Sequence, residues 1–187
     1  MDRARRVKVS KLLSLALRHD PAALALALDA SGWVAVDDVL AGLARQGMAV
    51  SRADLEEVVA TSDKQRFALS SDLLRIRANQ GHSVDVDLGL APEVPPEILL
   101  HGTTADVEGA IRREGLRPGQ RAHVHLSADA ETAWIVARRR RGPHVILHVR
   151  ARAMHDGGRA FFRSANGVWL TEHVPPEYVL PGGERSG

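Results

Sequence analysis

The chain has no cysteine in its 187 residues, only one tyrosine, three tryptophans and three phenylalanines, and a net charge of only +2. Without cysteine there is no disulfide, no thiolate metal ligand and no thiol nucleophile. No apolar run reaches the roughly 18 residues that cross a bilayer, and no charged-then-apolar leader opens the sequence. A cytoplasmic protein without membrane contact is therefore expected. GxGxxG and Walker loops are missing, which excludes the familiar Rossmann and P-loop phosphate sites. With no GxSxG elbow either, a serine hydrolase of that kind is excluded. What remains for chemistry is histidine, arginine, serine, threonine and the carboxylates. At 44% apolar residues the chain can still bury a core, in one domain or two small lobes.

The small net charge hides an uneven distribution. Arg3, Arg5, Arg6, Lys8 and Lys11 crowd the first eleven positions, and Arg138 to Arg141 are consecutive. Either cluster favours a polyanion. A solvated helix face is the ordinary account of the first; four adjacent arginines repel one another unless an anion or carboxylates lie close.

Apolar residues Val9, Leu12, Leu13, Ala16 and Leu17 recur at helical spacing, and Pro21 ends the pattern. Asp37 and Asp38 can cap a second helix through Leu43, and Ser51 to Asp54 has the form of a capping box opening a third. The period then changes to alternation on both sides of Ser70, Ser71 and Asp72, which reads as a hairpin. Three helices closed by a hairpin predict a winged-helix-like lobe over 1–91. Pro92, Pro95 and Pro96 interrupt the pattern and set the boundary. A second lobe over 97–187 follows, with strands at Ile98–Leu100, Val124–Leu126, Val145–Val149 and Val168–Leu170. Helices are predicted near Val107–Arg113 and Glu131–Arg139, so the class is α+β with a strand-rich second lobe. The tail from Pro181 is expected to fray.

Histidine and arginine concentrate in short polar segments: "LRHDP", "DKQRF", "RANQGHS", "LLHGT" and "HVHLS". Converging arginines suit a phosphoryl group, since the guanidinium fork binds paired oxygens and stays protonated. Each segment also has a plainer account. Arg18 and His19 can complement the carbonyl end of their helix, Arg66 can pair with Asp63, and His82 can serve a turn among Asn79, Gly81 and Ser83. His101 and His125 can be satisfied core histidines. His123 and His125 share a strand face and could chelate a metal, but no third ligand stands at a telling spacing, so no metal is expected.

The ordered segments "LLSLALRHDP", "DKQRFAL", "IRANQGHSVDVDL", "PPEILLHGT", "GLRPGQRAHVHLS" and "NGVWLTEHVPPEY" closely resemble the NAD-dependent RNA 2′-phosphotransferase family associated with tRNA splicing, from about Ser10 to Tyr178. The resemblance implies a winged-helix RNA lobe and an ADP-ribosyltransferase-like NAD lobe with a cleft between them; a monomer is expected. It also implies two steps on an RNA bearing an internal 2′-phosphate. The phosphate displaces nicotinamide from NAD⁺, giving an RNA-2′-phospho-ADP-ribose intermediate. The adjacent ribose hydroxyl then attacks phosphorus, giving 2′-hydroxyl RNA and ADP-ribose 1″,2″-cyclic phosphate. Matched residue by residue, Arg18, His19 and Arg66 are catalytic. The fourth catalytic arginine falls in the run at 138–141, where this sequence has one residue more than the family pattern. Counting from the left selects Arg139, and counting back from Gly142 selects Arg140; a helix register set by Ala133 and Val136 favours Arg139. His101, Gly102, Thr103, His125 and Ser127 are implied for NAD⁺, and Arg77, Gln80, Gly81, His82 and Arg140 for the RNA side. Two other readings fit the same residues: an ADP-ribosyltransferase acting on nucleic-acid terminal phosphates or protein, and a non-catalytic winged-helix regulator.

Overall fold

The computed structural model describes residues 1–62 and 65–180. The chain divides into two compact units, Met1–Gly89 and Leu90–Gly187. The proline-rich stretch goes with the second unit, because Pro92 bridges Phe162 and the Glu93 amide donates to the Phe161 carbonyl at 2.8 Å. Asp63 and the tail beyond Leu180 lie outside the described residues.

In the first unit, α1 spans Arg3–Arg18 and buries Val9, Leu13, Ala16 and Leu17. It starts six residues before its apolar pattern does. Asp2 caps it by accepting from the Arg5 amide at 2.9 Å, and Glu57 holds Arg6 at 2.8 Å, so polar contacts extend a helix that hydrophobic periodicity cannot reveal. A short 3₁₀ turn, Pro21–Leu24, leads to β1 (Val34–Ala35) and α2 (Val36–Arg45). Asp37 and Asp38 do not cap α2: Ala35 holds the cap position, and the two carboxylates sit in the first turn, where the helix dipole favours them. In α3 (Arg52–Ala60) the capping box of Ser51 and Asp54 is formed. β2 (Phe67–Leu69) and β3 (Arg75–Ala78) make the hairpin, and the sheet runs β1-β3-β2, antiparallel throughout. One contiguous apolar core joins all three helices to this sheet.

The second unit comprises β4 (Leu99–Thr104), α4 (Ala105–Glu114), β5 (Val124–Leu126), α5 (Ala130–Ala137), β6 (His144–Val149), α6 (Ala151–Asp156), β7 (Phe162–Arg163), β8 (Trp169–Thr171) and β9 (Val179–Leu180). Two antiparallel sheets, β4-β6-β9 and β5-β8-β7, are joined where Leu100 and Ser127 exchange both backbone hydrogen bonds at 2.8 Å. Mixed helices and small sheets make the class α+β. Apolar side chains form one cluster around Leu99, Leu126, Met154 and Phe161 and a second, smaller one of Ala133, Ala137 and Ile146. Gly102 permits the second: a Cβ there would stand 2.0 Å from the Ala133 carbonyl oxygen, so only glycine lets α5 lie this close on β4. α5 ends at Ala137, with Arg138 as its C-cap. The helical register that favoured Arg139 therefore does not extend to the arginine it was meant to place. Among the described residues no helix is long and apolar enough to cross a membrane.

Candidate functional site

In the first unit, Arg18 is the hub. Its carbonyl, at the exposed end of α1, accepts from the amides of Ser83 at 2.8 Å and Val84 at 3.3 Å. Its Nη2 donates to the Arg66 carbonyl at 3.4 Å, and that carbonyl also accepts from the Asn79 amide at 2.9 Å. Ser83 Oγ lies 2.9 Å from His19 Nδ1. The loop after β3 thus clamps the helix end and brings Arg18, His19, Arg66, Gly81 and His82 into one region. Gly81 has φ +86°, and a Cβ on it would lie 3.8 Å from the Arg18 guanidinium, so this glycine is required by the turn rather than by crowding.

His82 is buried at 3% exposure, and its Nε2 finds no partner among the described residues. Burial first, and then the charges of Arg18, His19 and Arg77, push its pKa down to about 4. It is a neutral ring under a cationic cluster rather than a surface turn residue. Arg77 stands over the Trp33 ring at 4.6 Å and donates to the Leu88 carbonyl at 3.3 Å, with its pKa lowered by burial. It therefore already has partners within its own unit. Gln80 is half-buried in the same loop.

In the second unit, His101 Nδ1 donates to the His125 carbonyl at 3.2 Å. Burial lowers its pKa, the bond to the carbonyl opposes that, and the charge of Arg140 lowers it further. A neutral ring protonated on Nδ1 leaves Nε2 as a hydrogen-bond acceptor. Arg121 Nη1 donates to His125 Nδ1 at 3.3 Å, and the Arg121 pKa is lowered by burial and by the charge of Arg140. His101, Arg121, His125 and Arg140 therefore belong to one cationic neighbourhood, bounded by the Leu100–Ser127 bridge. Thr103 is buried on the same strand, and Gly102 turns its missing side chain towards α5. The amide of Arg139 bonds the Val136 carbonyl and that of Arg140 the Ala137 carbonyl, both at 3.2 Å, in the turn after α5. The charge of Arg140 bears on both His101 and Arg121.

Two residues escaped the sequence reading. Ser83 ended a quoted motif but looked like one more turn former. Arg121 stood four positions before His125, a spacing with no meaning for a strand until the loop geometry is known. His123 does not join His125 as a ligand: it meets the Phe162 ring edge-on at 5.9 Å between centroids. No group of three His, Asp or Glu side chains among the described residues is placed to hold a metal ion.

An α+β chain of two units, each presenting arginine and histidine from element ends and neighbouring loops, has the makings of a phosphate-handling protein. The comparisons give that class its family: the model described as "RNA 2'-phosphotransferase, Tpt1 / KptA family" matches residues 4–173. Among curated proteins, a "Probable RNA 2'-phosphotransferase" of Hahella chejuensis is 56% identical over 91% of this chain and 91% of its own length. One of the same name from Streptomyces griseus is 54% identical over 96% of this chain and 98% of its own, and one from Trichormus variabilis 52% over the same shares. The chain belongs to the RNA 2′-phosphotransferase family.

Proposed function

We propose that the protein moves an internal RNA 2′-phosphate to NAD⁺, yielding 2′-hydroxyl RNA, ADP-ribose 1″,2″-cyclic phosphate and nicotinamide. In this reading the first unit is a winged-helix RNA-binding lobe, supported by its order of helix, strand, two helices and hairpin. The second is an ADP-ribosyltransferase-like lobe, supported by its two small antiparallel sheets joined at one bridge.

The observation that carries the proposal is that one loop holds Arg18 and His19 at the end of α1 and the backbone of Arg66 against the Arg18 guanidinium. A 2′-phosphate is already an anion and needs no strong base to act as nucleophile; it needs positioning, and then stabilisation of the charge that builds on its oxygens. Fixed guanidinium groups supply both. His19, its ring oriented by the contact of Nδ1 with Ser83 Oγ, is the group in this reading that meets the phosphate or the attacking hydroxyl.

The second unit's donor set fits NAD⁺. The acceptor Nε2 of His101 suits a ribose hydroxyl, and Arg121 with Arg140 suits a pyrophosphate or phosphate charge. NAD⁺ supplies an anomeric carbon whose leaving group is nicotinamide. Ser127 flanks this set at the bridge that joins the sheets and buried Thr103 lies two residues beyond His101 on β4, and Arg139 or Arg140 adds the fourth cation. Gln80, Gly81 and His82 shape the RNA side. The test is incubation with 2′-phosphorylated RNA and NAD⁺: the cyclic phosphate product is expected together with nicotinamide, and release of inorganic phosphate instead overturns the mechanism.

A further inference from the structure

The end of α1 at Arg18 is one terminus of a longer feature. Arg3, Val7, Lys11, Ser14 and Arg18 recur at three- and four-residue steps, with Ser10 beside Lys11 at the edge, on a face of α1 turned away from buried Val9, Leu13 and Ala16. At 1.5 Å per residue the stripe is about 22 Å long. Its part from Arg3 to Ser14, together with Val58, Thr61 and Ser62 from the end of α3 and with Arg66, walls a groove of about 600 Å³.

The charges in this groove are unbalanced. Arg6 is held by Glu57 at 2.8 Å. Among the described residues, Arg3, Lys11 and Arg66 have no carboxylate partner. Its lining is otherwise hydroxyls and two valines, with no aromatic ring on which a base could stack and no broad apolar floor for an acyl chain. A row of unpaired cations and hydroxyls in a trough wider than one phosphate suits a sugar–phosphate chain.

We infer that this groove binds the RNA backbone leading away from the reacting nucleotide, with Arg3 and Lys11 each neutralising a flanking phosphate. The inference rests on reading the chain as an enzyme that acts on RNA, and it adds a second, sequence-independent contact region to the one around Arg18 and Arg66.

The test is fluorescence anisotropy of a labelled single-stranded RNA of about a dozen nucleotides, without 2′-phosphate or NAD⁺, over a series of salt concentrations. For R3E/K11E the dissociation constant should rise at least about tenfold, and the slope of log affinity against log salt should shrink by about 1.4, two contacts at about 0.7 each. R3Q/K11Q should show the same slope change with a smaller loss, and it serves if charge reversal unfolds α1. R113E, at an exposed position on α4 of the other unit, should leave both quantities where they are. A parent-like slope in the double variants, an equal loss in R113E, or a parent that leaves this RNA unbound overturns the inference. Failure of the proposed reaction shows separately, as absence of 2′-phosphate transfer from a protein that still binds RNA.

Discussion

The two units hold their arginine and histidine side chains by different means. In the first, Arg18 and His19 sit at a helix end and are fixed from outside by the amides and hydroxyl of a loop more than sixty residues later in the chain. In the second, His101 and His125 sit within paired strands, and the backbone of one strand fixes the ring of the other. A helix end leaves long side chains swinging until a loop pins them; where two sheets meet at one bridge, a carbonyl of one strand can fix a ring on the other. The first arrangement suits gripping a phosphate, and the second suits presenting one acceptor atom in a defined direction.

The most severe way to break the first arrangement is to remove its cations. Arg18→Ala or Arg66→Ala should lower single-turnover rates by about 10² to 10³, the usual loss when a preorganised charge-stabilising group is deleted, while the melting temperature moves little. With Arg66→Ala, RNA carrying phospho-ADP-ribose should accumulate on gels; normal turnover in either variant rejects the assigned roles.

The second arrangement is most exposed at Gly102. Gly102→Val forces a side chain into the Ala133 carbonyl and should cost about 3 kcal/mol. Amide exchange should rise in β4 and α5 and stay low in α1; equal loosening of both units would erase the contrast between them.

A pH difference sharpens the comparison further. The folded-state pKa of His82 is depressed from 6.5 to about 4. The unfolded chain therefore binds a proton there before the folded one does, and stability is lost as pH falls from about 6.5 towards about 4, by at most about 3 kcal/mol. Urea titrations across that window should show the loss, and His82→Leu should flatten it. Ser83→Ala removes the hydroxyl beside the His19 ring and its long 3.5 Å bond to the Arg18 carbonyl, leaving both guanidinium groups in place, and should lower kcat about tenfold with little change in NAD⁺ KM, whereas a purely structural defect would move stability instead. The smallest effect lies in the second unit. Because the pKa of His101 is lowered, its acceptor atom persists from pH 8 to about 6.5, so NAD⁺ KM should be flat there and rise only in more acid buffer; a rise beginning above pH 6.5 would reject the neutral acceptor.

Much of the scaffold was legible in the chain. The capping box of Ser51 and Asp54, the hairpin about Ser70 to Asp72, and strand β5 follow from local chemistry, since caps, turns and alternation are set by neighbours in sequence. The early start of α1 was not legible, because a salt bridge to Glu57 supports it and no apolar period marks it. Nor were β7, β9 and α6, which are too short to carry a period and exist because longer partners pair or pack with them.

At the site the same division holds. Residue types and motif order alone pointed to the RNA 2′-phosphotransferase family and to arginine and histidine as its candidate groups. Tertiary structure alone decided that Ser83 would meet His19, that Arg121 would reach His125, that His82 would be neutral, and that the charge of Arg140 would bear on His101. Those facts depend on distances between segments remote in sequence and on loss of water around particular rings, and no local pattern of residues encodes either.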